Sequence, residues 1–323
     1  MSFDRIKGQQ PAVSRLKQYL AAGAPAAAGG YLFTGPEGVG KFTAARIFAK
    51  AANCLHKRED GDCCDACPSC LKIEKNSHPD VHCIDCGSEE IKVEEIRQVQ
   101  QDIGMVAYEA RLKFFIINNA HNLNTVSANA FLKTLEEPGK SSCIVLVTDK
   151  PQLLLRTIVS RCRQVKFSPL LRSEVEDCLR REHGLDGQSS HFLAFYSEGR
   201  LGAALQLKES DVFTEKNRII DALLSPQPVE LERLVGQDRD KLKFALGIAA
   251  SWYRDVLFLR NGVGRPELIN ADHIEQLTAL QSRLADSDIQ QSIRVVSDSL
   301  RYLEQAVNLK LLITHLKQNI VTN

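Results

Sequence analysis

The run Gly35-Pro36-Glu37-Gly38-Val39-Gly40-Lys41 follows the apolar stretch Tyr31-Leu32-Phe33 and leads into a helical pattern. A glycine-rich turn between a buried strand and the start of a helix is the setting a phosphate loop requires. Glycines let successive backbone N–H groups turn toward phosphate oxygens, the helix N-terminus adds the positive end of its dipole, and a lysine supplies a point charge. Gly35, Gly38, Gly40 and Lys41 are therefore the candidate nucleotide-binding residues, with a ligand-free glycine turn as the plainer alternative. The next position departs from the pattern. Phe42 stands where a Ser or Thr hydroxyl would bind magnesium, and Thr43, one residue late, is turned about 100° around the helix.

A phosphate loop implies a parallel α/β sheet, and the first half of the chain supplies one. Tyr31 to Phe33, Phe114 to Ile117, Ile144 to Val147 and Gln164 to Phe167 are short apolar runs of buried-strand length. Periodicity and caps predict helices at 11–22, 41–52, 93–102 and 125–136, with ends good to about two to four residues. After Pro169 strand signals stop and helical spacing continues. Ile289, Ile293, Val296, Leu300, Leu303 and Val307 form one stripe, and breaks are expected at Ser225-Pro226-Gln227-Pro228 and near Asn261-Gly262-Val263-Gly264.

The other half of an ATPase site is acidic, at the end of a buried strand, with one residue for magnesium and one to orient water. Here that strand ends in Asn118-Asn119. Asparagine has no charge to hold magnesium and cannot act as a base, although two such residues also serve as simple turn formers. With Phe42, two separate parts of one magnesium site are missing while the loop around them remains. The chain reads as a retired ATPase.

At 323 residues the chain fits two or three domains, and 44% hydrophobic residues suffice for their cores. The 41 basic and 40 acidic side chains leave a formal charge of +1, so no overall field attracts nucleic acid or an anionic membrane. Met1 to Arg5 does not resemble a leader and no apolar run reaches membrane-spanning length, which points to the cytoplasm. In a reducing compartment, ten cysteines with a cluster among them argue for metal rather than disulfides. Cys54, Cys63, Cys64, Cys67 and Cys70 crowd one insertion, and Cys64-x-x-Cys67-x-x-Cys70 is dense enough to signal zinc. Four thiolates are needed, and adjacency leaves Cys63 and Cys64 hard to rank. Cys83, Cys86, His78 and His82 lie close by and are expected to be structural or incidental.

The order of motifs resembles the AAA+ clamp-loader family of bacterial DNA polymerase III. Leu32-Phe33-Thr34-Gly35-Pro36 leads the loop, Ile116 through His121 takes the acidic-strand position, Asn129 through Pro138 is similar to the family's most recognisable signature, and Ser160-Arg161-Cys162 matches its SRC motif. Gly199 through Leu205 resembles the lid, with Ala203 where active members carry a sensing arginine. Ser251 through Asp255 and Asn308 through Leu312 resemble a helical collar. Arg156, where the family commonly has Pro, and Asp149, after Thr148, depart from the pattern.

The resemblance implies an α/β AAA+ P-loop nucleotide-fold domain at 1–168 with a zinc insertion at about 54–72, a small helical lid domain at 169–208 and an all-α collar at 209–323. It places structural zinc on Cys54, Cys64, Cys67 and Cys70, with Cys63 as the spare. It makes Arg161 an arginine finger acting in trans on a neighbour's nucleotide, against the plainer reading of a structural ion pair with a nearby carboxylate. ATP or ADP binding without hydrolysis is compatible with the surviving cradle. The implied partners are gamma/tau-type and delta-type subunits, the sliding clamp indirectly, and primer-template DNA through the complex. The rivals are an ATP-hydrolysing gamma-type subunit and a stand-alone zinc-dependent nucleic-acid-binding protein, the second opposed by the balanced charge and the lack of an aromatic-basic stripe.

Overall fold

The computed structural model describes residues 1–139, 141–225, 228–305 and 307–320. Pro226 and Gln227, half of one expected break, lie outside the described residues. Two compact units divide the chain: Met1–Val175 with Glu198–Ala203, and Glu176–Ser197 with Ala204–Asn323.

The first unit is built on five strands, β1 Gly29–Thr34, β2 Val81–Ile84, β3 Lys113–Ile117, β4 Ser142–Thr148 and β5 Arg163–Lys166. Their order is β2-β3-β4-β1-β5, and every pairing is parallel. Helices cover both faces, so alternate residues of one strand enter different cores. Tyr31, Phe33, Phe114, Ile116, Val145 and Val147 pack with the helices Gln10–Ala21 and Lys41–Asn53. Leu32, Phe115, Ile117, Ile144 and Leu146 pack with Val93–Gly104 and Thr125–Glu136. Burial on both faces is why these strands read as unbroken apolar runs rather than alternation. Each fully buried side chain of this size contributes about 1.5–3 kcal/mol of transfer free energy.

The four expected strands and four expected helices are present, with ends shifted by at most two residues and β5 starting one residue early. Strand β2 was not expected. It is an edge strand in which only Val81 is fully buried, and His82 and Cys83 break any apolar run.

In the second unit the long helix Arg239–Arg260 packs against Ile274–Arg283 and Asp286–Glu304 and ends at Asn261, within the expected break. Its Asp255 is fully buried, and the carboxylate accepts from Ile269 N at 3.1 Å and Asn270 N at 2.7 Å, pinning the following loop. The stripe read from the sequence is half right. Ile289, Val296 and Leu303 are buried, but Ser292 and Ser299 are fully buried too, while Ile293 and Leu300 are half-buried and Val307 lies past the helix end. Positions 289, 292, 296, 299 and 303 follow three-four spacing, and an apolar-only count misses the small residues that sit at a close helix contact. Among the described residues no helix is long and apolar enough to cross a membrane.

Candidate functional site

Because the sheet is parallel, all carboxyl ends of its strands lie on one side, where α/β proteins place ligands. Thr34, at the end of β1, is level with Thr148 on β4 and Lys166 on β5, and the phosphate loop begins at the next residue. Gly35 has φ +144° and passes so near β5 that a Cβ would lie 2.2 Å from the Phe167 carbonyl oxygen. Only glycine fits there. Gly38 and Gly40 follow with φ +78° and +91°, and Lys41 opens the helix Lys41–Asn53.

Lys41 is buried, and its ammonium donates to the loop's own carbonyls, Gly35 O at 2.7 Å and Pro36 O at 2.6 Å. Burial lowers its pKa, against the charges of Asp149 and Glu37, which raise it. Phe42 is half-buried against the core and Thr43 faces solvent. The lid segment meets the loop directly. Gly202 N donates to Gly38 O at 2.8 Å, and a Cβ on Gly202 would stand 2.8 Å from that same oxygen. Ala203 follows, with its short side chain near Gly38.

Asn118 and Asn119 are turned away from this loop. Asn118 Nδ2 donates to Asp85 Oδ2 at 3.0 Å, and Asn119, at φ +49°, donates through Nδ2 to Gly87 O at 3.0 Å. Asparagine tolerates this left-handed conformation better than most residues, so the turn-former role is physically real here. Both amides tie the end of β3 to the loop after β2.

Arg161 lies at the other end of the sheet. It precedes β5, its carbonyl is beside Gly30 at the start of β1, and the register pairs Tyr31 with Arg163. From Gly30 to the phosphate loop at Gly35 is five residues of strand, roughly 16 Å at about 3.3 Å each. Its guanidinium donates through Nε to Glu136 Oε1 at 2.8 Å, through Nη2 to the same oxygen at 2.5 Å and through Nη1 to Thr157 O at 2.9 Å. The ion pair weighed against the finger role thus exists, and it leaves the side chain 33% exposed.

The cysteines gather where the helix Lys41–Asn53 ends. Cys54 is its C-cap, and the sulfurs of Cys54, Cys64, Cys67 and Cys70 all lie within 4.8 Å of one another. Four sulfurs about 2.3 Å from a zinc ion in a tetrahedron stand roughly 3.8 Å apart, and Cys54 and Cys67 are separated by 4.0 Å. The set fits a soft divalent ion. Backbone N–H groups already point at the sulfurs, Cys64 N to Cys54 Sγ and Cys67 N to Cys64 Sγ, both at 3.3 Å. Burial pushes the Cys54 thiol up to about 12, while the N–H of Ala66 helps hold Cys64 below its ordinary value. A bound cation would favour the thiolate at all four.

Cys63 stands outside this set. Its sulfur approaches Asp65 Oδ1 at 3.5 Å and Met1 O at 3.6 Å, as a thiol donor does. The neighbouring candidates have other partners: His78 Nδ1 accepts from Asp80 N at 3.1 Å, His82 stacks on Phe115, and Cys86 meets Glu95 at 3.2 Å. Cys83 is exposed.

The family model described as DNA polymerase III, delta subunit, matches residues 8–171, and the model for the C-terminal part of that subunit matches residues 219–319. The chain belongs to this delta-subunit family. It is 29% identical over 296 residues to DNA polymerase III subunit delta' of Bacillus subtilis, covering 88% of each chain. To subunit tau of the same organism it is 31% identical over 229 residues, which is 69% of this chain but only 40% of tau. A solved DNA polymerase III gamma subunit-related protein from Thermotoga maritima aligns over 96% of this chain and 99% of its own, at 18% identity and a TM-score of 0.42. The architecture is a parallel sheet between helices followed by a helical C-terminal region.

Two residues of this family member escaped the sequence reading as site residues. Asp149 closes β4 beside the loop, 3.4 Å from His121 Nδ1, and bears electrostatically on Lys41. His121 also meets Thr148 Oγ1 at 3.0 Å, and burial lowers its pKa. Glu136, the partner of Arg161, is the second. Asp149 had a signal, a carboxylate following a buried strand. Glu136 had none, since its partner is 25 residues away.

Proposed function

We propose that this chain is the non-hydrolysing, delta'-type subunit of a clamp loader, assembled with gamma/tau-type and delta-type subunits to place a sliding clamp on primed DNA. The observation that carries the reading is that the chain's one SRC arginine and its own phosphate loop lie at opposite ends of the same parallel sheet. Arg161 is too far from that loop to serve it. A finger that cannot act in its own subunit can act only on a neighbour's nucleotide, where it would stabilise charge on the transferring phosphoryl group.

The loop itself supports the other half of the reading. Phe42 offers no magnesium ligand, and Asn118 and Asn119 are bonded to the loop after β2. Lys41 is held by carbonyls of its own turn. A gamma-type, hydrolysing subunit would need a hydroxyl at position 42 and carboxylates at 118 and 119. Zinc held by Cys54, Cys64, Cys67 and Cys70 would be structural, since four protein ligands leave no open position for chemistry. The reading retains the division into a nucleotide-fold part at 1–168, a lid at 169–208 and a collar at 209–323, and a cytoplasmic setting that keeps the thiols reduced.

The isolated chain is therefore expected to show no magnesium-dependent ATP turnover. Steady-state hydrolysis that Lys41→Ala abolishes would sink the reading.

A further inference from the structure

We propose that Glu136 is a positioning residue for Arg161, fixing the guanidinium in the attitude in which it meets a neighbour's phosphoryl group; this rests on the trans-acting role of Arg161. Glu136 is the last residue of the helix Thr125–Glu136. A carboxylate there faces the negative end of the helix dipole and works against the helix that carries it. A charge that breaks a local rule without local gain points to a partner elsewhere. That partner is Arg161.

The geometry of the pair is directional. A guanidinium has five N–H donors in a rigid plane. Nε and Nη2 both reach Glu136 Oε1, at 2.8 and 2.5 Å, so one edge of the plane is fixed on the carboxylate. Nη1 donates to Thr157 O at 2.9 Å, one turn upstream, which sets the tilt of the plane. Three of the five donors are engaged. Among the described residues, one N–H on each terminal nitrogen is left over, on a side chain that is 33% exposed. Those two donors are the part of the fork suited to phosphoryl oxygens. Held this way, the arginine loses little side-chain freedom when a neighbour's nucleotide arrives, and its charge is already aimed.

The test uses the reconstituted loader complex, with single-turnover hydrolysis at the one site that faces Arg161 and ATP affinity measured separately. Glu136→Ala is expected to slow the hydrolytic step by about tenfold, within the roughly 10²-fold that a 1 Å misplacement can cost, with ATP affinity unchanged. Glu136→Gln keeps an oxygen that can accept both N–H groups, and it is expected to restore most of the rate. Adding Glu136→Ala to Arg161→Ala should cost nothing more, because a positioning residue has nothing left to position. A wild-type rate for Glu136→Ala beside a slow Arg161→Ala overturns the proposal alone, as does a further loss in the Arg161→Ala background, which marks a general structural defect. A wild-type rate for Arg161→Ala itself removes the finger reading first, and the role of Glu136 with it.

Discussion

The two ends of the parallel sheet differ in how their charged groups are occupied. At the carboxyl end Lys41 is turned inward onto the carbonyls of Gly35 and Pro36, and the asparagines that end β3 bond to the loop after β2. At the amino end Arg161 is anchored from behind by Glu136 and Thr157 and keeps part of its fork exposed. Both ends are well ordered by hydrogen bonds, so order alone does not tell one kind of site from the other. What separates them is the kind of group presented: the carboxyl end has Phe42, Asn118 and Asn119 where magnesium chemistry would need a hydroxyl and carboxylates, whereas the amino end presents part of a guanidinium fork.

The largest effect is expected from the metal, which bears on the carboxyl end through the helix that runs from Lys41 to Cys54. Metal analysis should find one zinc per chain, and Cys67→Ala should release it. Structural zinc binds with about 10–16 kcal/mol in small domains, so its loss should lower the melting temperature markedly. Full occupancy in a protein lacking Cys64, Cys67 and Cys70 would move the site elsewhere.

Next comes Arg161→Ala in the assembled complex. Single-turnover hydrolysis at the adjacent site should fall by a factor of about 10³–10⁵, with the mutant chain still folded and assembled. An unchanged rate with assembly intact would make the amino end as silent as the carboxyl end and dissolve the contrast.

A smaller effect is expected from Gly35→Ala. The added Cβ meets a backbone oxygen of Phe167 that cannot step aside, at a φ that alanine rarely adopts. Overpacking and strain each cost about 1–3 kcal/mol, so denaturant melts should show a loss of roughly 3 kcal/mol. A neutral outcome would mean that the turn is softer than its contacts imply.

The smallest effect concerns pH. Burial favours neutral His121, so its folded pKa lies below its unfolded value, and the folded protein binds fewer protons than the unfolded chain in that window. The stability contributed is present above the unfolded pKa near 6.5 and falls as pH drops through that value toward the folded one. Melting temperatures at pH 7.5 and 5.5 should therefore differ less for His121→Gln than for the unchanged chain. An equal difference in both would assign the acid sensitivity to other groups.

How much of this was legible in the sequence follows from the range of the interactions involved. Strands β1, β3 and β4 were visible because residues such as Phe33 and Ile116 on one sheet face and Leu32 and Ile144 on the other are all buried and leave continuous apolar runs, whereas β5 was marked by Val165 and Phe167. Strand β2 was not visible, because His82 and Cys83 interrupt its apolar residues and only Val81 is buried. Ser292 and Ser299 hid the true buried stripe, since polarity gives no sign that a small hydroxyl residue lies at a helix contact. The cysteine spacing announced a cluster without ranking Cys63 and Cys64, the family resemblance favoured Cys64, and the folded positions of the sulfurs bring Cys64 to the other three. Glu136 was beyond reach because it matters through a partner that only the fold brings near, whereas Asp149 carried the signal of a carboxylate following a buried strand.

The two hydrogen bonds of Lys41 bear on how such a motif endures. Its ammonium ties together a turn whose carbonyls would otherwise be poorly paired, at 2.7 and 2.6 Å, so the lysine has a reason to persist that owes nothing to nucleotide. Selection for a stable turn and selection for catalysis would leave the same letter in the sequence. A genome survey that counts a lysine at this position as a sign of ATP turnover would be counting a residue that the turn itself has reason to keep.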